Sequence, residues 1–244
     1  MSENLENGAS SELPIALAKG VIGAIPWVGA LIAEVGNVYF NPLEKRKRHW
    51  AEEVSKAIEE IRNRFGLLPE ELQKDERFVS FLYHATISGL KNHQKQKIEA
   101  LRAAVVSSAD PAVVSDDITF QYLKYIDDLT VTHILILRCL DEHSDALDQF
   151  EEMEPIYDLV QRNFSLSLER TDFRAFLNDL DAKFLIRIGD ITDFPEFASG
   201  QSAIVDESSK IMPLRVTSLG KNFLAFITQS PNKSLHADPG SPGV

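Results

Sequence analysis

Apolar positions along the chain fall into blocks of different period. Leu13–Phe40, reading LPIALAKGVIGAIPWVGALIAEVGNVYF, is apolar almost throughout and carries Gly20, Gly23, Gly29 and Gly36. From Leu43 to Phe65 one stripe takes over: Trp50, Val54, Ala57, Ile58, Ile61 and Phe65 recur at helical spacing, with Lys, Arg and Glu between them. That period predicts an amphipathic helix with one face in a core, ended by Gly66. Pro69-Glu70-Glu71-Leu72 predicts a short helix, since proline and acids both suit a first turn. A long helix is expected over Asp75–Ser107, with Phe78, Phe81, Leu82, Ala85, Ile98, Leu101 and Val105 as its apolar positions. Its middle, Lys91–Lys97, is polar on every side and is expected to bridge solvent or reach past the core. Ser107–Ser115 reads as a loop. Asp116-Asp117 then cap a helix bearing Phe120, Leu123 and Ile126.

The pattern changes at Asp128. Leu129-Thr130-Val131-Thr132-His133 predicts a helix entry with Thr130 as N-cap, running through Ile134, Leu137 and Leu140. After the acidic connection Asp141–Glu154, helices are expected over Met153–Phe164 and from Arg170 onward, the latter carrying Phe173, Phe176, Leu177, Leu180 and Phe184. Phe184–Ile188 predicts a strand, Gly189–Lys210 a turn-rich acidic wing, Ile211–Val216 a return strand, and Thr217–Ile227 a last helix. Helix, helix, helix, strand, wing, strand, helix is the order of a winged helix. The expected fold class is therefore mainly α: a helical N-terminal domain over 13–127, then a winged-helix-like domain over 128–228 with a small β wing. Residues 1–12 and the Pro/Gly/Ser-rich 229–244 are expected to be disordered.

The opening stretch poses the functional question. Between Lys19 and Glu34 lie only fourteen uncharged residues, short of the roughly 20 that a transmembrane helix needs. Pro26 splits the stretch into two short helical segments, about 14–25 and 27–39. Two readings stay open. Both segments pack in a helical core, the glycines allowing close approach; or they form a membrane-active hairpin or interfacial segment held against the protein until triggered. In the second reading Trp27, Val28, Leu31 and Ile32 would enter lipid, and Lys45-Arg46-Lys47-Arg48 would meet anionic headgroups at about 1 kcal/mol per base.

Charge and candidate chemistry narrow the alternatives. The formal net charge is −12, which opposes a phosphate-binding surface. Residues 131–230 hold nine Lys/Arg against seventeen Asp/Glu, so the winged-helix-like domain is expected to bind a protein partner rather than nucleic acid. The single cysteine, Cys139, excludes an intramolecular disulfide and suits a reducing compartment. The acidic first twelve residues lack the basic start of a secretory signal. A cytoplasmic location is expected, with the membrane reached from its inner face. No P-loop, GxGxxG or HExxH occurs, and His133 reads as a packed or capping histidine. No catalytic residue, metal ligand or cofactor is expected, and no enzyme. Oligomerisation is left open.

Three stretches carry a resemblance: Pro42-Leu43-Glu44-Lys45-Arg46 after the glycine-rich segment, His93–Val105, and Leu129–His133. On these the chain resembles a group of uncharacterised bacterial proteins. More remotely, its helical front half and winged-helix end resemble the abortive-infection alpha-type proteins. That resemblance implies a bacterial protein of phage defence or toxicity and carries no site residue with it.

Overall fold

The structure is a computed structural model that describes residues 26–39, 44–112, 115–147, 152–164, 167–188 and 214–228. The expected helix over 14–25, the terminal segments and the wing lie outside the described residues. The described chain is mainly helical, with one two-stranded sheet. It divides into two units. One comprises residues up to Asp128 together with those from Phe226; the other is Leu129–Ala225.

The first unit is built on α1 (Pro26–Tyr39), α2 (Glu44–Phe65), α3 (Pro69–Leu72), α4 (Glu76–Lys91), α5 (Lys95–Ser108) and α6 (Asp116–Asp128). The expected stripe of α2 is its buried face up to Ile61: Trp50, Val54, Ala57, Ile58 and Ile61 are all sealed from solvent, Phe65 is half-buried, and α2 packs on α5 and α4. Each large side chain so buried contributes roughly 1.5–3 kcal/mol. Trp50 donates its indole N–H to the Thr86 hydroxyl at 3.1 Å, and that hydroxyl donates to the Leu82 carbonyl at 2.7 Å. The indole ring lies so close to α4 that a Cβ at Gly89 would sit 2.6 Å from it.

The long helix expected over Asp75–Ser107 is two helices. Asp75 caps α4 by accepting from the Arg77 and Phe78 amides. At the other end Asn92 turns extended (ψ 143°), and its side-chain amide donates to the Ser88 carbonyl at 2.9 Å. Asn and similar residues compete for backbone groups in this way and so favour helix ends. The polar run therefore marks a break. Lys97, inside that run, is buried instead of reaching into solvent. Its ammonium donates to the Asp127 carbonyl at 3.0 Å, where the C-terminal end of α6 favours a cation. Burial pushes its pKa down, partly offset by Asp127 and Asp128.

The second unit holds α7 (Val131–Glu142), α8 (Ser144–Leu147), α9 (Met153–Phe164), α10 (Arg170–Ala182), β1 (Ile186–Arg187), β2 (Arg215–Val216) and most of α11 (Ser218–Thr228). Thr130 caps α7 as expected, accepting from the His133 amide. The first strand is shorter than the expected Phe184–Ile188, and residues 211–213 of the expected return strand lie outside the described residues. They pair antiparallel, Ile186 opposite Val216 and Arg187 opposite Arg215, with the aliphatic pair buried and the arginines exposed. Pairing starts late because α10 winds down through Lys183 and Phe184. The Leu185 amide donates to the Leu180 carbonyl at 3.0 Å and the Phe184 amide to that of Asp181 at 2.8 Å. This is a Schellman closure with Phe184 in the left-handed region, φ 58°. Thr217 locks the strand ends, its hydroxyl reaching the Phe184 carbonyl at 2.7 Å while accepting from the Gly220 amide at 3.0 Å. A Cβ at Gly220 would overlap the Leu185 carbonyl.

Candidate functional site

The candidate site comprises α1 and the first turns of α2. Pro26 begins α1, at the one helical position where its missing N–H costs nothing. Val28 and Ile32, one turn apart, are both 3% exposed. Trp27 and Leu31 are half-buried, while Ala30, Ala33 and Glu34 face solvent. α1 packs on α4 and α2. Two of the four apolar residues expected to enter lipid thus sit in a protein core, and the outward face of α1 is small and acidic. Lipid burial of Val28 and Ile32 would require α1 to leave this seat.

Trp27 is the uncomfortable member. Its indole nitrogen is buried and has no hydrogen-bond partner among the described residues. An orphaned donor of this kind costs about 1–3 kcal/mol. Trp50, one helix on, has its donor satisfied.

The four expected bases divide by helical period. Lys45 and Arg48 are exposed, with His49 beside them. Arg46 is half-buried and its guanidinium donates to the Lys91 carbonyl, the last residue of α4, at 3.4 Å. Lys47 is buried. Only Lys45 and Arg48 of the run face outward as free-standing charge. All four lie at the N-terminal end of α2, where the helix dipole disfavours cations by about 0.3–1 kcal/mol each. Lys45 and Arg48, exposed as well, gain nothing from the helix they stand on. At 14 residues and about 1.5 Å per residue, α1 is also too short for a bilayer core of about 30 Å. No helix among the described residues is long and apolar enough to cross a membrane.

Other titratable groups resolve into structure. His133 accepts at Nδ1 from the Thr130 amide (3.1 Å), which leaves its proton on Nε2, 3.2 Å from an Asp179 carboxylate oxygen. Asp179 also binds Lys183 at 3.1 Å. The ring stands edge-on to Phe176. This histidine is spent on a cap and an interhelical contact. Burial, then Glu142, pushes the Cys139 thiol up to about 11, so it carries little thiolate near neutrality. No cluster able to hold a metal ion occurs among the described residues.

Sequence reasoning missed Lys97 and Phe184. Lys97 was legible: it lies one turn before Leu101, on the apolar stripe. Phe184 was not, because no glycine marks the left-handed position. Comparison of the chain with protein-family models, curated proteins and solved structures finds no match.

Proposed function

We propose that the protein is a non-enzymatic, membrane-directed effector in which α1 leaves its seat on α2 and α4 and enters the interface of an anionic bilayer. The observation that carries this reading is the buried, unpartnered indole N–H of Trp27. At a bilayer interface an indole keeps its ring in the apolar layer and its N–H in the wet one. The move would replace core burial of Val28 and Ile32 by lipid burial and relieve the orphaned donor. Lys45 and Arg48, with no helical reason to be where they are, would meet anionic headgroups. Two outward charges at about 1 kcal/mol each make electrostatics a steering term, not an anchor. The cellular role that fits is the phage defence or toxicity implied by the bacterial resemblance.

Vesicle co-sedimentation and dye leakage test this. Wild-type protein should bind and leak vesicles rich in phosphatidylserine or phosphatidylglycerol, and bind phosphatidylcholine vesicles weakly. Lys45→Gln with Arg48→Gln should weaken anionic binding roughly thirtyfold, in line with about 1 kcal/mol per base, and leave the circular dichroism unchanged. Leu31→Asp, at a half-buried position, should stay folded and stop leakage. Wild-type protein that ignores both vesicle types would sink the proposal.

A second reading concerns the other unit. Its order of elements supports a winged-helix-like module that binds a protein. In α10, the place of a recognition helix, Lys183 is held by Asp179, and Arg170 reaches the Glu154 carboxylate with its Nε at 3.0 Å. Asp172 is exposed there. That face offers little to phosphate or base edges.

A further inference from the structure

We infer that Phe184, Arg187 and Arg215 form a docking patch for an acidic, apolar segment of a partner protein. The inference rests on reading the second unit as a protein-interaction module. Two features that oppose stability meet at this spot. Phe184 occupies the left-handed closure of α10, a position that glycine fills without steric penalty and a bulky L-residue does not. The residue is nevertheless 61% exposed, so burial offers little in return. Directly beside it, Arg187 and Arg215 stand opposite each other across the two strands, both facing solvent. Like charges directly opposite disfavour strand pairing. Neither arginine forms an ion pair among the described residues, although Lys183 and Arg170 nearby in sequence do.

The chemistry of the patch defines its occupant. The Arg187 guanidinium lies 5.9 Å from the centre of the Phe184 ring, so the aromatic face and the two charges form one surface. Two adjacent guanidiniums suit a carboxylate, which accepts paired N–H donors. The exposed ring suits a leucine- or phenylalanine-sized side chain next to that carboxylate. Arginine and aromatic residues are the usual anchors of protein interfaces. A nucleic-acid backbone fits less well, because phosphates would approach a stretch with seventeen acids against nine bases over 131–230. One carboxylate between two arginines escapes most of that repulsion.

The test is an array of short random-sequence peptides, probed at physiological salt with the full chain, with Phe184→Gly, and with Arg187→Gln/Arg215→Gln. Wild-type protein should retain peptides enriched in Asp or Glu next to Leu or Phe. Both variants should lose roughly tenfold or more in affinity for them, as loss of an anchor predicts. Thermal melts separate recognition from structure. Glycine suits the backbone at 184, and the double variant removes like-charge repulsion, so both should melt at or above the wild-type midpoint. Peptide binding that lacks acidic enrichment, or that survives both variants, overturns the patch while the interaction module stands. If no peptide is retained, patch and module both fall. Retention of duplex or single-stranded DNA, abolished in the double variant, assigns the patch to nucleic acid and overturns the proposal. A midpoint several degrees lower in Phe184→Gly makes the residue structural and also overturns it.

Discussion

Trp50 and Trp27 differ in one hydrogen bond, and that difference should be measurable. Trp50 is sealed in the core, and its N–H is passed on through Thr86 to the α4 backbone. Trp50→Phe leaves Thr86 short of a partner and a gap beside Gly89, so it should cost about 2–4 kcal/mol in urea unfolding. Trp27→Phe removes an unpaired donor from a half-buried site, and should cost less than about 1 kcal/mol by the same bookkeeping. Equal costs would mean that the Trp27 donor finds a partner in solution. Tyr122 gives a second test. Burial, then the neighbouring Tyr125, pushes its phenol up to about 12 from 10.0. Between those values the unfolded chain has released a proton that the folded chain retains. The stability it contributes is full below pH 10 and is lost as pH rises toward 12. Wild-type protein should lose more stability than Tyr122→Phe over that interval; parallel pH curves would show that the phenol is not protected by folding.

The elements record what periodicity can and cannot see. The α2 stripe was legible because a stripe one-third of the surface wide has one physical use, burial against neighbours. Ile61→Ala should therefore cost roughly 2–5 kcal/mol. A thermal midpoint equal to wild type would place that face in solvent. The break between α4 and α5 was not legible, because apolar positions on both sides keep helical spacing and only the Asn92 side chain turns the backbone out of register. The first strand was read too long for a related reason. Leu185 and Ile186 are buried and aliphatic, as a strand requires, but the backbone of Phe184 still belongs to the closure of α10. In α1 the apolar character was plain, and the inward direction was not. Nearly every residue there is apolar or glycine, with Glu34 and Asn37 the exceptions, so no single face announces itself. The division of the basic run was more accessible, since Lys45, Arg48 and His49 share a face at i, i+3, i+4.

At the scale of the molecule, charge was the most legible property and gives the clearest exclusion. An acidic surface releases no counterions from DNA, so duplex retardation should be absent at physiological salt. Micromolar binding that weakens with salt and with Arg174→Ala would overturn that reading of the second unit. The same negative charge makes vesicle binding depend on local geometry. Lys45 and Arg48 must approach headgroups within a Debye length of about 8 Å, or the repulsion of the rest of the chain prevails. Raising salt should therefore weaken the first encounter with anionic vesicles and leave the apolar contribution of α1 in place.

The first unit is interrupted in sequence. Phe226 stacks with Tyr122 at 5.2 Å and edge-on with Phe81 at 6.1 Å, and its carbonyl accepts from the Ser107 hydroxyl 119 residues earlier. A ribosome reads the chain in one direction, at about 5–20 residues per second. For roughly 5–20 s after Asp128 is made, the aromatic cluster of α4 and α6 lacks its third ring. α1, α2 and their basic turn are complete long before then. A nascent chain thus carries the finished α1 and α2 on a unit whose last stabilising contacts have not been synthesised, and a message cut before codon 226 would leave it so permanently.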